Sequence, residues 1–254
     1  MKYILFPNML WQMKQGVQHS PPLLKDFMKL KNTTSVHCGK SLESNLHRLY
    51  KKNKKTSGQR INIGGDHSMS IATVAYTLNN YPDSKVIWVD AHPDINTTFS
   101  SKTKNVHGMP LGFLTGLDYN REFSYIKNLL PFQNILYVGL RDIDHYEKNI
   151  LDTCNIEQIS TEEVNNNPQK VIRTIQEFID NDPFHLSFDV DSLDPSVMSS
   201  TGTPVENGIL LKPMKKVLRN IMNSDNMVNM DITELNLELG DNHKSLQNFL
   251  YLFA

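Results

Sequence analysis

The chain is expected to fold as an α/β protein with a mostly parallel sheet covered by helices on both faces. Three observations carry that expectation. Short apolar, β-rich runs recur along the 254 residues. Segments with helical spacing separate them, as strand–helix alternation requires. Nearly every unusual polar cluster follows directly on one of the apolar runs. Ligands of an open parallel sheet gather outside the carboxyl ends of its strands, so clusters far apart in sequence would share one mouth.

Taken in order, "KYILF" at 2–6 reads as the first strand. "RINI" at 60–63 is the next and runs into "GGDHS", where two glycines let the backbone turn and Asp66 or Ser68 can cap a helix. "SIATVAYTLNNY" at 70–81 has the spacing of that helix. "KVIWVD" at 85–90 leads into "DAHPD", and "NILYVGL" at 134–140 into "RDIDHYE". "NNNP" at 165–168 marks a loop before the helical "PQKVIRTIQEFIDN". "HLSFDV" at 185–190 continues into "DVDSLDP", and "MVNMDI" at 227–232 into "ITELN". No internal repeat or low-complexity linker interrupts the pattern, so residues 1–254 read as one domain.

Composition narrows the classes of function. A net charge of −1 implies neither a basic nor an acidic surface, so no nucleic-acid partner is expected. The basic run "KKNKK" at 51–55 reads as a solvated helix end. Cys38 and Cys154 lie far apart without metal-ligand spacing, which fits a reducing, cytoplasmic compartment. The apolar run at 1–11 is broken by Pro7 and Asn8 and lacks the features of a signal peptide. No window reaches transmembrane length, so no membrane partner is expected.

The polar clusters carry the chemistry. Residues two apart in an extended segment point the same way, so Asp90, His92 and Asp94 would converge if the chain stayed extended past its strand. Asp189 and Asp191 share that spacing, and His67 follows the two glycines. Four carboxylates in one pocket would repel and protonate unless cations compensate them. Two divalent metals would balance four negative charges. Hard oxygen donors with imidazole and no thiolate favour manganese, with iron, cobalt or zinc as other choices. Any one cluster could be only a turn or a helix cap; three of them after strand-like runs make the metal reading specific. His19, His37, His47, His145, His185 and His243 lack such context and read as surface or core residues.

In order and spacing, "GGDHS", "DAHPDINT", "NVHG", "SFDVDSLDPS", "TGTP" and "DITELN" resemble the arginases of the ureohydrolase family. The resemblance covers about residues 60 to 240. It implies a three-layer α/β/α sandwich around a parallel sheet of about eight strands, of which six are evident above. It implies one manganese on His67, Asp90, Asp94 and Asp189 and a second on His92, Asp90, Asp189 and Asp191. The implied reaction is hydrolysis of L-arginine to L-ornithine and urea, by attack of a metal-bridging hydroxide on the guanidinium carbon. Glu234 would hold the guanidinium, and His107 would shuttle the proton that the leaving nitrogen needs. Asn96, Thr103 and Asn105 match positions that contact the α-carboxylate. Asp144 matches the partner of the α-amino group, assisted by Glu147 through water, and Thr203 matches a residue near the guanidinium.

This chain also departs from the family pattern. "TKN" at 103–105 puts Lys104 where a permissive glycine is usual, so the loop backbone would shift or the lysine would add attraction for a carboxylate. "ELNL" replaces a common proline-containing version after Glu234. The sequence ends about 20 residues past Glu234, so the terminal helix and tail that support a trimer are expected to be shortened or absent. A homo-oligomer stays open on this reading. Other readings are a ureohydrolase acting on agmatine or a guanidino acid, and a silent relative that binds metal or a partner protein. The presence of all six metal positions, His107 and Glu234 speaks against silence.

Overall fold

The computed structural model describes residues 1–9 and 14–253; residues 10 and 11 of the N-terminal apolar run lie outside that range. Among the described residues, eight strands form one parallel sheet: β1 (Lys2–Phe6), β2 (Thr33–Ser35), β3 (Arg60–Gly64), β4 (Lys85–Val89), β5 (Ile135–Val138), β6 (Glu157–Ile159), β7 (Phe184–Asp189) and β8 (Met227–Thr233). Their spatial order is β2-β1-β3-β8-β7-β4-β5-β6. All six strands read from the sequence are present. The two unread ones, "TTS" and "EQI", are three residues long, largely exposed and sit at the two sheet edges. Short polar edge strands limit pairing with other chains, and the same brevity hides them from any hydropathy pattern.

The strands between the two edges are largely buried on both faces, and their side chains divide the core in two. Ile87 and Val89 of β4 join one cluster, and Val86 and Trp88 the other. This is the two-residue alternation of a strand with helices on each side. The first cluster is covered by α1 (Ser20–Phe27), α6 (Thr161–Asn166), α7 (Pro168–Ile179), α8 (Leu211–Met222) and α9 (Asn242–Phe253). The second is covered by α2 (Leu42–Lys55), α3 (Ser70–Asn80), α4 (Pro110–Leu114) and α5 (His145–Thr153).

Local chemistry explains the helix boundaries. Asp66 caps the turn His67–Met69 that opens α3 by accepting from the Ser68 N–H at 3.1 Å. Between α6 and α7 the expected loop shrinks to Asn167, whose side chain caps α7 ahead of Pro168. α7 buries Val171, Ile172, Ile175 and Ile179, one helical face. The basic run at 51–55 is the last turn of α2, where lysines complement the helix dipole. A C-terminal helix is present: α9 buries Phe249 and Leu252, and its Phe253 ring stands edge-on to Phe188 at 5.7 Å. No helix among the described residues is long and apolar enough to cross a membrane.

Candidate metal centre and substrate cleft

The carboxyl ends of β3, β4, β7 and β8 open onto one cleft of about 310 Å³. Its lining includes His67, Asp90, His92, Asp94, Asp189 and Asp191, so all six metal candidates meet there. The chain does not stay extended to bring them together. Asp94 takes a left-handed backbone with φ 51°, and Asp191 lies in the turn Val190–Ser192. Glu234 is also left-handed, at φ 63°. Such backbone is costly for a side-chain-bearing residue and persists where surroundings impose it. The two glycines before Asp66 also act differently from the sequence reading. Neither has positive φ; a Cβ on Gly65 would lie 1.7 Å from the Asn8 carbonyl oxygen, and one on Gly64 would strike the Met69 sulfur. They permit close approach rather than a special turn.

The donor atoms form two overlapping groups, His67–Asp90–Asp189 and Asp90–His92–Asp191, with Asp90 common to both. His67 Nδ1 stands 3.0 Å from an oxygen of each of Asp90, Asp94 and Asp189, yet is aligned to hydrogen-bond with none. One N–H cannot serve three acceptors, whereas a cation can. His92 Nδ1 lies 3.1 Å from Asp191 and 3.5 Å from Asp90. The set is hard oxygen plus imidazole, almost wholly buried, and fits divalent metal.

The charge balance points the same way. Burial opposes protonation of His67, but the facing carboxylates of Asp189, Asp90 and Asp94 hold its pKa well above the usual imidazole value. Burial also opposes a charge on His92, and Asp191 and Asp90 overcome it. Burial and the neighbouring Asp90 push Asp94 up to about 7. Burial, Asp191 and Asp90 drive Asp189 well above its ordinary range. Asp90, between the two imidazoles, is instead held below its ordinary value by His67 and His92, so the cluster carries more carboxylate than its imidazoles compensate.

Several supporting residues escaped the sequence reading. Trp88 stacks on the His67 ring at 4.3 Å and donates its indole N–H to Asp90 at 3.1 Å. Ser187 Oγ meets His67 Nε2 at 2.7 Å, which orients the ring. Each sits two residues before a ligand candidate on its strand, so the two-residue period was the available signal. Asp142 approaches His92 Nε2 at 3.5 Å. Among the described residues, Arg141 donates to six backbone carbonyls, including those of Asp191 and Val205 at 2.7 and 2.8 Å, and so clamps the loop carrying Thr203. No local pattern announces that role.

The remaining candidates divide between cleft and rim. Asn96, Asn105, His107, Glu147, Thr203 and Glu234 line the cleft, together with Lys14, which donates to the Gly202 carbonyl. Thr203 Oγ1 donates to Asp191 at 2.9 Å. Glu234 accepts the His67 backbone N–H at 2.8 Å, and burial with nearby Asp66 raises its pKa to about 8. Glu147 rises to about 8 through burial and then Asp94 and Asp144. It forms a capping box with Asp144 at the start of α5. Asp144 is at the rim, bonded to Asn96 Nδ2 at 2.8 Å. Thr103 is also outside the lining and accepts the Asn105 N–H at 3.3 Å. His107 Nδ1 is buried without a hydrogen-bond partner. Burial, then His67 and His92, lower its pKa to about 4. Lys104 turns away from the cleft and donates to the Thr98 and Phe99 carbonyls at 2.7 and 3.2 Å.

Comparison with known proteins is consistent with this geometry. The chain resembles the arginase of Glaciozyma antarctica, 42% identical over 71% of this chain and 55% of the relative. It is 34% identical to the hepatic arginase of Aquarana catesbeiana over 90% of this chain and 73% of that one. It spans about half the length of the first curated relatives it matches. A crystal structure of Entamoeba histolytica arginase in complex with L-ornithine superposes with a TM-score of 0.92 at 31% identity, covering 99% of this chain and 95% of the other. Bacillus subtilis arginase follows with a TM-score of 0.88 at 25% identity, covering 99% and 96%. A sequence model of the arginase family matches residues 13–248, nearly the whole described chain, and with the fold and the strand-end cluster in place this protein belongs to the arginase family.

Proposed function

We propose that this protein hydrolyses L-arginine to L-ornithine and urea with two bound Mn²⁺ ions. The observation that carries the reading is the convergence of four aspartates and two histidines on the same cleft as Glu234 and His107. The resemblance to an arginase crystallised with L-ornithine supports it. When bound, a pair of divalent cations lowers the pKa of water from about 15.7 towards about 7, making a nucleophile available at neutral pH.

The chain's own groups supply the rest. His67, Asp90, Asp94 and Asp189 would hold one ion, and His92, Asp90, Asp189 and Asp191 the other. Glu234 would take the guanidinium through charge-assisted hydrogen bonds, which require its carboxylate form. The elevated pKa of Glu234 would fall as the cationic guanidinium enters. Thr203 fixes Asp191 from the side of the cleft where the guanidinium would lie. His107 is neutral at rest, so a proton it delivers to the leaving nitrogen must be acquired during the cycle. The bonded pair Asn96–Asp144, with Asn105 and Glu147 beside it, offers donors for an α-carboxylate and acceptors for an α-amino group. We further propose that residues 1–254 act as one domain, in the cytoplasm.

The direct test is urea release from L-arginine by protein loaded with Mn²⁺, run beside agmatine, which lacks the α-carboxylate. Rapid release from arginine, abolished by chelation and restored by Mn²⁺, is expected. Equal rates with agmatine would transfer the reading to a decarboxylated substrate. A well-folded, active protein with no bound divalent ion would sink the metal reading.

A further inference from the structure

We infer that Lys104 is the latch of the 96–105 loop and, through Asn96 and Asn105, a positioning residue that sets selectivity for the amino-acid end of the substrate. The inference rests on the arginine reading above and deepens it. Lys104 holds a left-handed backbone at φ 62°, a conformation that glycine adopts freely and lysine does not. Its side chain gives a reason to keep it there. The ammonium donates to the carbonyls of Thr98 at 2.7 Å and Phe99 at 3.2 Å, while the backbone N–H donates to Ser101 Oγ at 3.0 Å. One residue therefore ties three points of the arc that precedes it.

Apart from Lys104, little holds the tip of that arc. Its own bonds are short-range: Ser100 Oγ to Asn96 Oδ1 at 2.8 Å, Ser100 N to Thr97 Oγ1 at 3.0 Å and Asn105 N to Thr103 Oγ1 at 3.3 Å. The Phe99 side chain is 94% exposed and packs on nothing that would hold the tip. The body of the protein holds the ends of the arc, through Asn96 to Asp144 and to the Gly108 carbonyl and through the Gly108 N–H to Asn105, and reaches its tip at the Asp118 carboxylate, which accepts from the Thr98 N–H. Removal of the Lys104 ammonium would leave the Thr98 and Phe99 carbonyls to water and free the tip. The two ends of the arc, Asn96 and Asn105, line the cleft, whereas Lys104 does not. The lysine thus acts on the cleft through these asparagines rather than by touching a substrate.

The test uses the full chain loaded with Mn²⁺ and the variants Lys104→Met, Lys104→Gly and Lys104→Arg. Lys104→Met and Lys104→Gly should raise KM for arginine about two- to fivefold, the scale of an exposed charged contact, with kcat retained. kcat/KM for agmatine should stay unchanged, and Lys104→Arg should restore the arginine KM. Hydrogen exchange of the amides at 97–103 should quicken in the Met and Gly variants and return in Lys104→Arg. An unchanged arginine KM, an equal rise for agmatine, or unchanged exchange at 97–103 would each overturn the latch. So would a KM rise that vanishes at high salt, which is the mark of direct attraction between the ammonium and a carboxylate. If the unsubstituted protein releases no urea from arginine, the arginine reading fails, and the exchange result still decides whether Lys104 holds the loop.

Discussion

Two groups of buried aspartate and histidine lie on the same face of the sheet, and only one of them calls for metal. Below the cleft, Asp231 of β8 faces His185 of β7, with Oδ2 3.1 Å from Nε2. Asp231 also accepts from Ser70 at 2.8 Å, from Thr73, and from Asn62 at 2.8 Å, while His185 Nδ1 meets Thr77 at 3.0 Å. His185 Nε2, like His67 Nδ1, is not aligned to hydrogen-bond, but it faces one carboxylate, which a ring of donors already satisfies. Four residues beyond His185 on β7, at Asp189, the balance fails: four carboxylates face two imidazoles. Within the cluster His67 and His92 hold Asp90 below its ordinary value, but burial and neighbouring carboxylates raise Asp189 and Asp94; Asp231, equally buried, is held below its ordinary value because His185, Thr73 and Ser70 outweigh the cost of burial. Burial alone does not make a metal centre; uncompensated negative charge does.

The largest test of that contrast is Asp189→Ala. It should reduce urea release to background and abolish the rise in Tm that Mn²⁺ gives the unsubstituted protein, while the exposed Asp83→Ala changes neither. Calorimetry in buffers of different ionisation enthalpy should also detect protons released on metal uptake, and affinity should fall as pH falls. Affinity that is flat with pH would contradict a site whose ligands must lose protons to bind metal.

His107 sharpens the comparison as a histidine in neither group. His107→Ala should lower kcat by about 10²–10⁴ with a smaller effect on KM. An unchanged kcat at saturating arginine would remove it from the reaction.

The balanced pair makes a different prediction. Asp231→Ala should cost about 3–5 kcal/mol in urea unfolding, because it strands a buried imidazole and several donors. The Asp231 pKa is depressed on folding, so its contribution is present above the unfolded value of about 3.9 and is lost as pH falls below it. The unfolding free energy of the unsubstituted protein should therefore fall more steeply towards acid than that of Asp231→Asn. A loss below about 1 kcal/mol would show that the pair is solvated after all.

The smallest expected effects lie at the rim. Arginine should be preferred over agmatine by at least about tenfold in kcat/KM, which corresponds to about 1.4 kcal/mol. Asn96→Ala should narrow that ratio because it removes a cleft donor. Thr103→Ala should narrow it less, because Thr103 acts by positioning Asn105. Equal effects of both would place Thr103 in direct contact with the carboxylate.

The six candidate metal ligands were legible because Asp90, His92 and Asp94, and Asp189 and Asp191, recur at two-residue spacing after strand-like runs, with His67 placed the same way after its own. The balanced pair was not legible. His185 and Asp231 sit inside the runs "HLSFDV" and "MVNMDI", where they read as breaks in an apolar pattern. Their partnership exists only because β7 pairs with β8, with His185 opposite Asn229 and Ser187 opposite Asp231. Arg141 was hidden for a related reason: backbone carbonyls carry no sequence identity, so nothing local marks the residue that gathers them. The Lys104 departure was visible as an anomaly, but its direction was not. Only the folded loop shows that the ammonium is spent on Thr98 and Phe99.

The sequence by itself determined the class of fold, the six long strands and the residues that gather at their ends. Those depend on hydrophobic periodicity and on short-range spacing, which a single chain states directly. The tertiary structure decided the order of the strands, the two polar edges, the left-handed turns that aim Asp94 and Glu234, and which buried charges find partners. Each of these depends on pairing between segments far apart in sequence, with up to 169 residues separating Asn62 from the Asp231 that it satisfies. The free energy of a buried charge belongs to its surroundings rather than to its residue type, and those surroundings exist only once the sheet has closed.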